Sequence, residues 1–184
     1  MTHLAPITVD VLPRASVAAV PQLPTPVRNA VLRMFQDPAL LDTEERSRLL
    51  QRLRECVNLE PERAELRVVL GMALCVDLDP EAGLAELRHA VQLDPDSFIA
   101  RLKLGELLMR LRICREAEME THQARRLASN PVQIDLARRQ AATIGTMLQQ
   151  GIERGGYKSP WTWLAGLLKR RPRGEPAVSM VNVS

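Results

Sequence analysis

The sequence predicts an all-α fold assembled from pairs of helices, and three observations predict it. Leu, Ala, Arg and Glu are abundant while aromatic residues make up only 3%, a mix suited to helices because unbranched side chains lose little rotamer freedom there. Apolar residues recur at steps of three and four, the spacing that gathers them on one helical face. Sliding the chain by 34 residues brings like residues into register, as a repeated supersecondary unit requires.

Residues 1–26 are interrupted by Pro6, Pro13, Pro21, Pro24 and Pro26. They lack the basic start and continuous apolar core of a signal peptide, and read as a flexible arm. A helical pattern begins at Val27, with Val31, Met34 and Phe35 on one face, and Asp37-Pro38 interrupts it. A second helix is expected from about Thr43 to Asn58. Asp42 stands at its N-cap, and Glu45 completes the spacing of a capping box. The next runs from about Ala64 to Cys75 and presents Leu66, Val69, Leu70, Ala73 and Leu74. Asp79 can cap a further helix, to about Gln92, with Pro80 in the first turn where a missing N–H costs nothing. Ser97 can cap a helix through Met109 or Arg110, whose partner spans roughly Arg115 to Ala128. Asn130-Pro131 closes that unit, and another helix is expected from about Val132 to Gln150. Short turns between such helices imply antiparallel neighbours.

The triplets Leu59–Pro61, Leu78–Pro80 and Leu93–Pro95 look alike but play two parts. Pro61 and Pro95, 34 residues apart, close successive units, whereas Asp79-Pro80 opens the second helix inside one. Setting 30–63 against 64–97 gives eleven identities, among them Leu50, Leu53, Val57, Leu59 and Pro61. Setting 64–97 against 98–131 gives seven, including Arg67, Leu70, Gly71, Leu74, Ala90 and Leu93.

Small and large residues recur at fixed places in these units. Counting from Ala64, the second carries Leu70-Gly71, Leu74, Gly83, Leu87, Ala90 and Pro95; the third carries Leu104-Gly105, Leu108, Ala117 and Ala124. This pattern resembles the tetratricopeptide repeat. The departures are Thr121 for a large apolar residue, Ser129 for the closing proline, and Asp37-Pro38 in a degenerate first unit. The resemblance implies a right-handed helix–turn–helix solenoid over 27–154, with units at about 30–63, 64–97 and 98–131. The helix after Pro131 would cap its end.

Such arrays are mostly scaffolds that bind a peptide or protein in a groove lined by the first helix of each pair. The resemblance places Val68, Met72, Cys75 and Val76 of the second unit in that groove, beside Glu65. From the third unit it places Ile99, Leu102, Glu106, Met109 and Arg110, and from the first Val31 and Met34. These residues are mainly apolar and rich in sulfur. Val68 and Met72 stand where the family's carboxylate clamp would carry Lys and Asn, which argues against that ligand and for an apolar or amphipathic segment.

After Gly155-Gly156, a flexible joint, Ser159-Pro160 opens a Trp-containing amphipathic helix within 155–171. Trp161, Leu164 and Leu168 share one face, with Trp163 and Leu167 on the next. Three readings stay open for it: docking on the preceding helices, association with a partner or a second copy, and contact with a membrane surface. The Pro-rich arm is another segment able to cover the groove. Residues 172–184 are expected to be a disordered tail.

Other function classes are disfavoured. The net charge is +3, and the only dense basic run, Lys169–Arg173, is too short for a nucleic-acid face. No stretch reaches the roughly 18 apolar residues of a membrane span, so a cytoplasmic protein is expected. Cys56, Cys75 and Cys114 fit neither a disulfide framework nor a zinc pattern. Glu86-x-x-His89 is half of a di-iron motif without the second half, and His122 with Glu118 and Glu120 lacks a partner helix. No Gly-rich phosphate loop occurs. The expectation is a non-enzymatic, cofactor-free adaptor binding a protein segment. The alternative is a small secretion-type chaperone that shields apolar client segments, and a membrane-peripheral assembly factor is a weaker third.

Overall fold

Cap chemistry sets where the helices begin. A computed structural model describes residues 23–152; the expectations for residues 1–22, for the Trp-containing stretch and for the tail lie outside the described residues. Helix α1 spans Thr25–Gln36 with Pro26 in its first turn. It therefore starts two residues before the expected Val27, because proline costs nothing at that position. Leu23 is buried in the same core as α1, so the arm's last residues belong to the packed body. Asp37 ends α1 in extended backbone, and its side chain accepts from the Ala39 N–H to open a short 3-10 turn, Pro38–Leu40.

Helix α2, Thr43–Leu59, starts on the capping box: Asp42 accepts from the Glu45 N–H at 2.7 Å, and Glu45 accepts from the Asp42 N–H at 3.0 Å. Helix α3 is Ala64–Val76 and α4 is Pro80–Leu93, capped by Asp79 on the Ala82 N–H. Helix α5, Phe98–Arg110, is capped by Ser97; α6 is Cys114–Leu127. Helix α7, Pro131–Gln149, is capped by Asn130, whose Oδ1 accepts from the Gln133 N–H at 3.0 Å. The described residues are all helix and connection. None of these helices is long and apolar enough to cross a membrane.

The helices pack serially. α3 lies along α4 and α5 along α6 as tight hairpins; α4 abuts α5, α3 touches α5, and α7 packs on α6 with a smaller contact to α5. The core divides accordingly. One cluster joins Val31 and Met34 of α1 to Leu49, Leu50 and Leu53 of α2 and Leu66, Leu70 and Leu74 of α3. A second joins Val68 of α3, Leu84 and Leu87 of α4, Leu104 and Leu108 of α5, Cys114 and Ala117 of α6 and Ile144 of α7.

The small residues are where backbones meet. A Cβ at Gly71 would lie 2.9 Å from Leu87 Cγ and 3.0 Å from the Gly83 carbonyl oxygen; one at Gly83 would lie 2.8 Å from the Gly71 carbonyl oxygen. These distances are shorter than packed side chains tolerate, so α3 and α4 approach this closely only with glycine on both sides.

Candidate functional site

Two ion pairs, 34 residues apart, hold the hairpins in matching geometry. Arg67 of α3 donates to Glu86 of α4 at 2.9 Å, and Arg101 of α5 donates to Glu120 of α6 at 2.9 Å. Each arginine also donates through Nε to the carbonyl of the proline six residues earlier, Pro61 and Pro95. The guanidinium thus ties the hairpin to the turn that closes the preceding unit. Glu86 and Glu120 had figured in the sequence as halves of possible metal motifs, but both are engaged by arginine. His89 and His122 are exposed on the second helices. Among the described residues no three His, Cys, Asp or Glu side chains are grouped as a metal site would need. The matched pair Glu86 and Glu120 was the signal available in the 34-residue comparison; its meaning depended on the arginine it faces across the hairpin.

The expected groove residues separate into two sets. Val68 is 4% exposed and Leu102 5% exposed, so neither side chain is open to a partner. Val31 and Met34 are fully buried. The physical reason is crowding: α1, α2, α4 and α5 all pack against α3, which encloses eight of its thirteen residues. Val68 joins the second core cluster, while Leu102 packs with Ala124, Ala137, Phe98 and Leu136 where α7 meets the hairpin before it. Met72, Cys75, Val76, Ile99, Glu106 and Met109 are half-buried, and Arg110 is exposed. Met72 packs against both large core clusters, and Cys75, Ile99 and Met109 pack against the second. The six half-buried residues, with the exposed Glu65 and Arg110, are the reachable part of the expected groove. Trp161, Trp163, Leu164 and Leu168 lie outside the described residues.

Electrostatics link the two helices of this face. Burial pushes the Cys75 thiol up to about 11, with the negative charges of Glu106 and Asp79 adding to the rise and Arg110 opposing it. The thiol therefore stays protonated at neutral pH and behaves as a small apolar group. Glu106 itself is half-buried. Burial pushes its carboxyl up, but Lys103 and Arg110 overcome this and hold it below the ordinary carboxylate value. Both cations donate to it at 2.8 Å, from Nζ of Lys103 and a guanidinium nitrogen of Arg110. The face is an apolar, sulfur-rich strip bordered by a charged ledge with two cations and one anion.

A buried polar joint lies behind it. Thr121 is fully buried in α6, and its Oγ1 accepts from Gln140 Nε2 of α7 at 2.7 Å; the same amide donates to the Leu102 carbonyl at 3.1 Å. Gly105 leaves room for this joint, since a Cβ there would stand 2.7 Å from both Gln140 Nε2 and Thr121 Oγ1. Thr121 looked like a departure from the repeat pattern; it is the partner that α7 requires.

The chain matches no protein-family model and no curated protein. The site is therefore argued from its own geometry.

Proposed function

We propose that the chain is an adaptor that binds an apolar or amphipathic protein segment on the face shared by α3 and α5, in the manner of the tetratricopeptide scaffolds its repeat pattern resembles. The observation that supports this most is the strip Met72, Cys75, Val76, Ile99 and Met109, half-exposed on two adjacent helices and free of charge. Methionine side chains are flexible and polarizable, so such a strip can adapt to a partner's shape. The ledge of Lys103, Glu106 and Arg110 carries a formal excess of one positive charge. The segment that fits best is a helix with apolar residues three and four apart and an acidic residue at one end.

Selection of a displayed random-peptide library on the full chain tests this reading. The control is a Met72→Glu/Met109→Glu double variant whose helicity matches the unaltered chain, because both positions are half-exposed whereas Leu102 is buried. Enriched peptides should carry the apolar helical spacing and bind the double variant at least about tenfold more weakly, a difference near 1.4 kcal/mol. Peptides that bind both proteins equally would place recognition elsewhere. Enrichment for hydrophobicity without any spacing would instead favour the shielding of apolar client segments.

A further inference from the structure

The described chain ends on a turn that the protein uses twice before. At the end of α3, the N–H groups of Asp77, Leu78 and Asp79 donate to the carbonyls of Ala73, Cys75 and Leu74. At the end of α5, those of Leu111, Arg112 and Ile113 donate to Leu107, Met109 and Leu108. At the end of α7, those of Gln150, Gly151 and Ile152 donate to Thr146, Leu148 and Met147. The offsets are the same in all three, and the middle residue is left-handed each time, with φ of 65° at Leu78, 60° at Arg112 and 66° at Gly151. This is the Schellman arrangement, which reverses the chain as it ends a helix. After Leu78 the chain re-enters helix at Pro80 and packs back on α3; after Arg112 it does so at Cys114 and packs back on α5. α7 thus ends in the same reversing turn as α3 and α5, the two helices that each open a hairpin.

The face such a hairpin would cover is open. Ala137, Gln140 and Ile144 point α7 into the preceding pair. On the side of α7 that carries Gly145, Ile134 is 48% exposed. A Cβ at Gly145 would meet nothing within 4 Å. In the two completed hairpins a Cβ added at Gly71 or Gly105 would instead meet the second helix, 2.9 Å from Leu87 Cγ of α4 or 2.7 Å from Thr121 Oγ1 of α6.

We propose that Ser159–Arg171 docks on this face of α7 and completes a fourth helix pair. The described chain is held at its end, since the Cys114 thiol donates to the Ile152 carbonyl at 3.5 Å beside the start of α6. Residues 153–158 can span about 20 Å when extended, against about 28 Å for the 19 residues of α7. Ser159 can therefore be set down along most of that helix. The segment carries the large residues Trp163, Leu164 and Leu167, and this side of α7 carries the small ones Gly145 and Ala141, the large-and-small combination by which Leu87 packs beside Gly71. A tether this short gives the segment an effective concentration on the order of millimolar, which favours it over a separate partner.

Trp161 and Trp163 are the chain's only tryptophans, so their intrinsic fluorescence reports the docking without a label. In the full chain, emission should be blue-shifted and acrylamide quenching several-fold weaker than for the free peptide 157–173, independent of protein concentration. Gly145→Arg fills the open space and raises helix propensity, so the fold is expected to hold. It should return quenching to the peptide's value while far-UV helicity stays within the loss of one helix, and Ile134→Asp should do the same. Four results would each overturn the proposal: quenching equal to the peptide's in the unaltered chain; protection that grows with protein concentration, which marks a second copy; protection seen only with anionic vesicles; and protection untouched by both variants.

Discussion

The hairpins α3–α4 and α5–α6 share a 34-residue correspondence, an Arg–Glu clamp and a reversing turn, yet they are joined inside by different chemistry. In α3–α4 the contact is backbone on backbone, Gly71 against Gly83, with Leu87 filling the space beside it. In α5–α6 only Gly105 remains; Ala117 stands at the place of Gly83 and Thr121 at the place of Leu87, and a glutamine from α7 enters. The first pair is closed on itself, whereas the second keeps a polar socket for the next element. The second hairpin therefore departs from the residues of the first without losing order, because its replacement bonds to a neighbouring helix.

The largest expected effect comes from filling the backbone contact. Gly83→Ala places a methyl group 2.6 Å from Cys75 Sγ and 2.8 Å from the Gly71 carbonyl oxygen, the latter a backbone atom that cannot swing aside. A loss of about 3 kcal/mol is expected by the usual cost of overpacking. Gly105→Ala presses on side-chain atoms, Gln140 Nε2 and Thr121 Oγ1, and reaches backbone only at 3.3 Å, the Ala117 carbonyl oxygen, so it should cost less. Urea titrations of both variants check the order; equal losses would break the distinction between the closed and the socketed pair.

Next in size is the socket itself. Thr121→Val keeps the shape but leaves one amide N–H of Gln140 unpaired inside the protein, costing about 1–2 kcal/mol. Adding Gln140→Leu to Thr121→Val should recover part of that loss, since the pair then has no polar group to satisfy on either side. Thermal or urea unfolding of the single and double variants measures the coupling. An additive result would show that the two side chains do not act together.

The smallest effect is electrostatic and depends on pH. Glu106 has a folded-state value below that of the unfolded chain, so its contribution is present above the unfolded carboxylate value of about 4.3. It is lost as pH falls through the folded value, because the unfolded state then binds the proton first. Glu106→Gln should therefore destabilise by about 1 kcal/mol at neutral pH, the upper range for partly exposed pairs, and the gap should close in acid. A gap that persists in acid would assign the effect to packing rather than charge.

Much of this fold was legible along the chain. Asp42 with Glu45, Asp79 with Pro80, Ser97 and Asn130 with Pro131 placed the helix starts to within a residue or two, because capping is local chemistry. Gly71, Gly83 and Gly105 were recognisable as close-approach points for the same reason: only a missing side chain allows the backbones together. The reachable face was only partly legible. Met72, Cys75 and Met109 are half-buried and reachable, but Val68 and Leu102 vanish into the core, since an expected groove position says nothing about how many helices crowd around it. The Arg67–Glu86 and Arg101–Glu120 clamps were missed because each joins residues 19 apart, across a turn that periodicity does not relate.

What the sequence determined by itself was the all-helical build, its starts and its 34-residue frame, because propensity, capping and apolar spacing act over a few residues. What the tertiary structure decided was which side chains a partner could touch, why Thr121 replaces a leucine, and that α7 ends in a reversing turn like α3 and α5. Those depend on which surfaces meet, and surfaces meet only once the helices have packed.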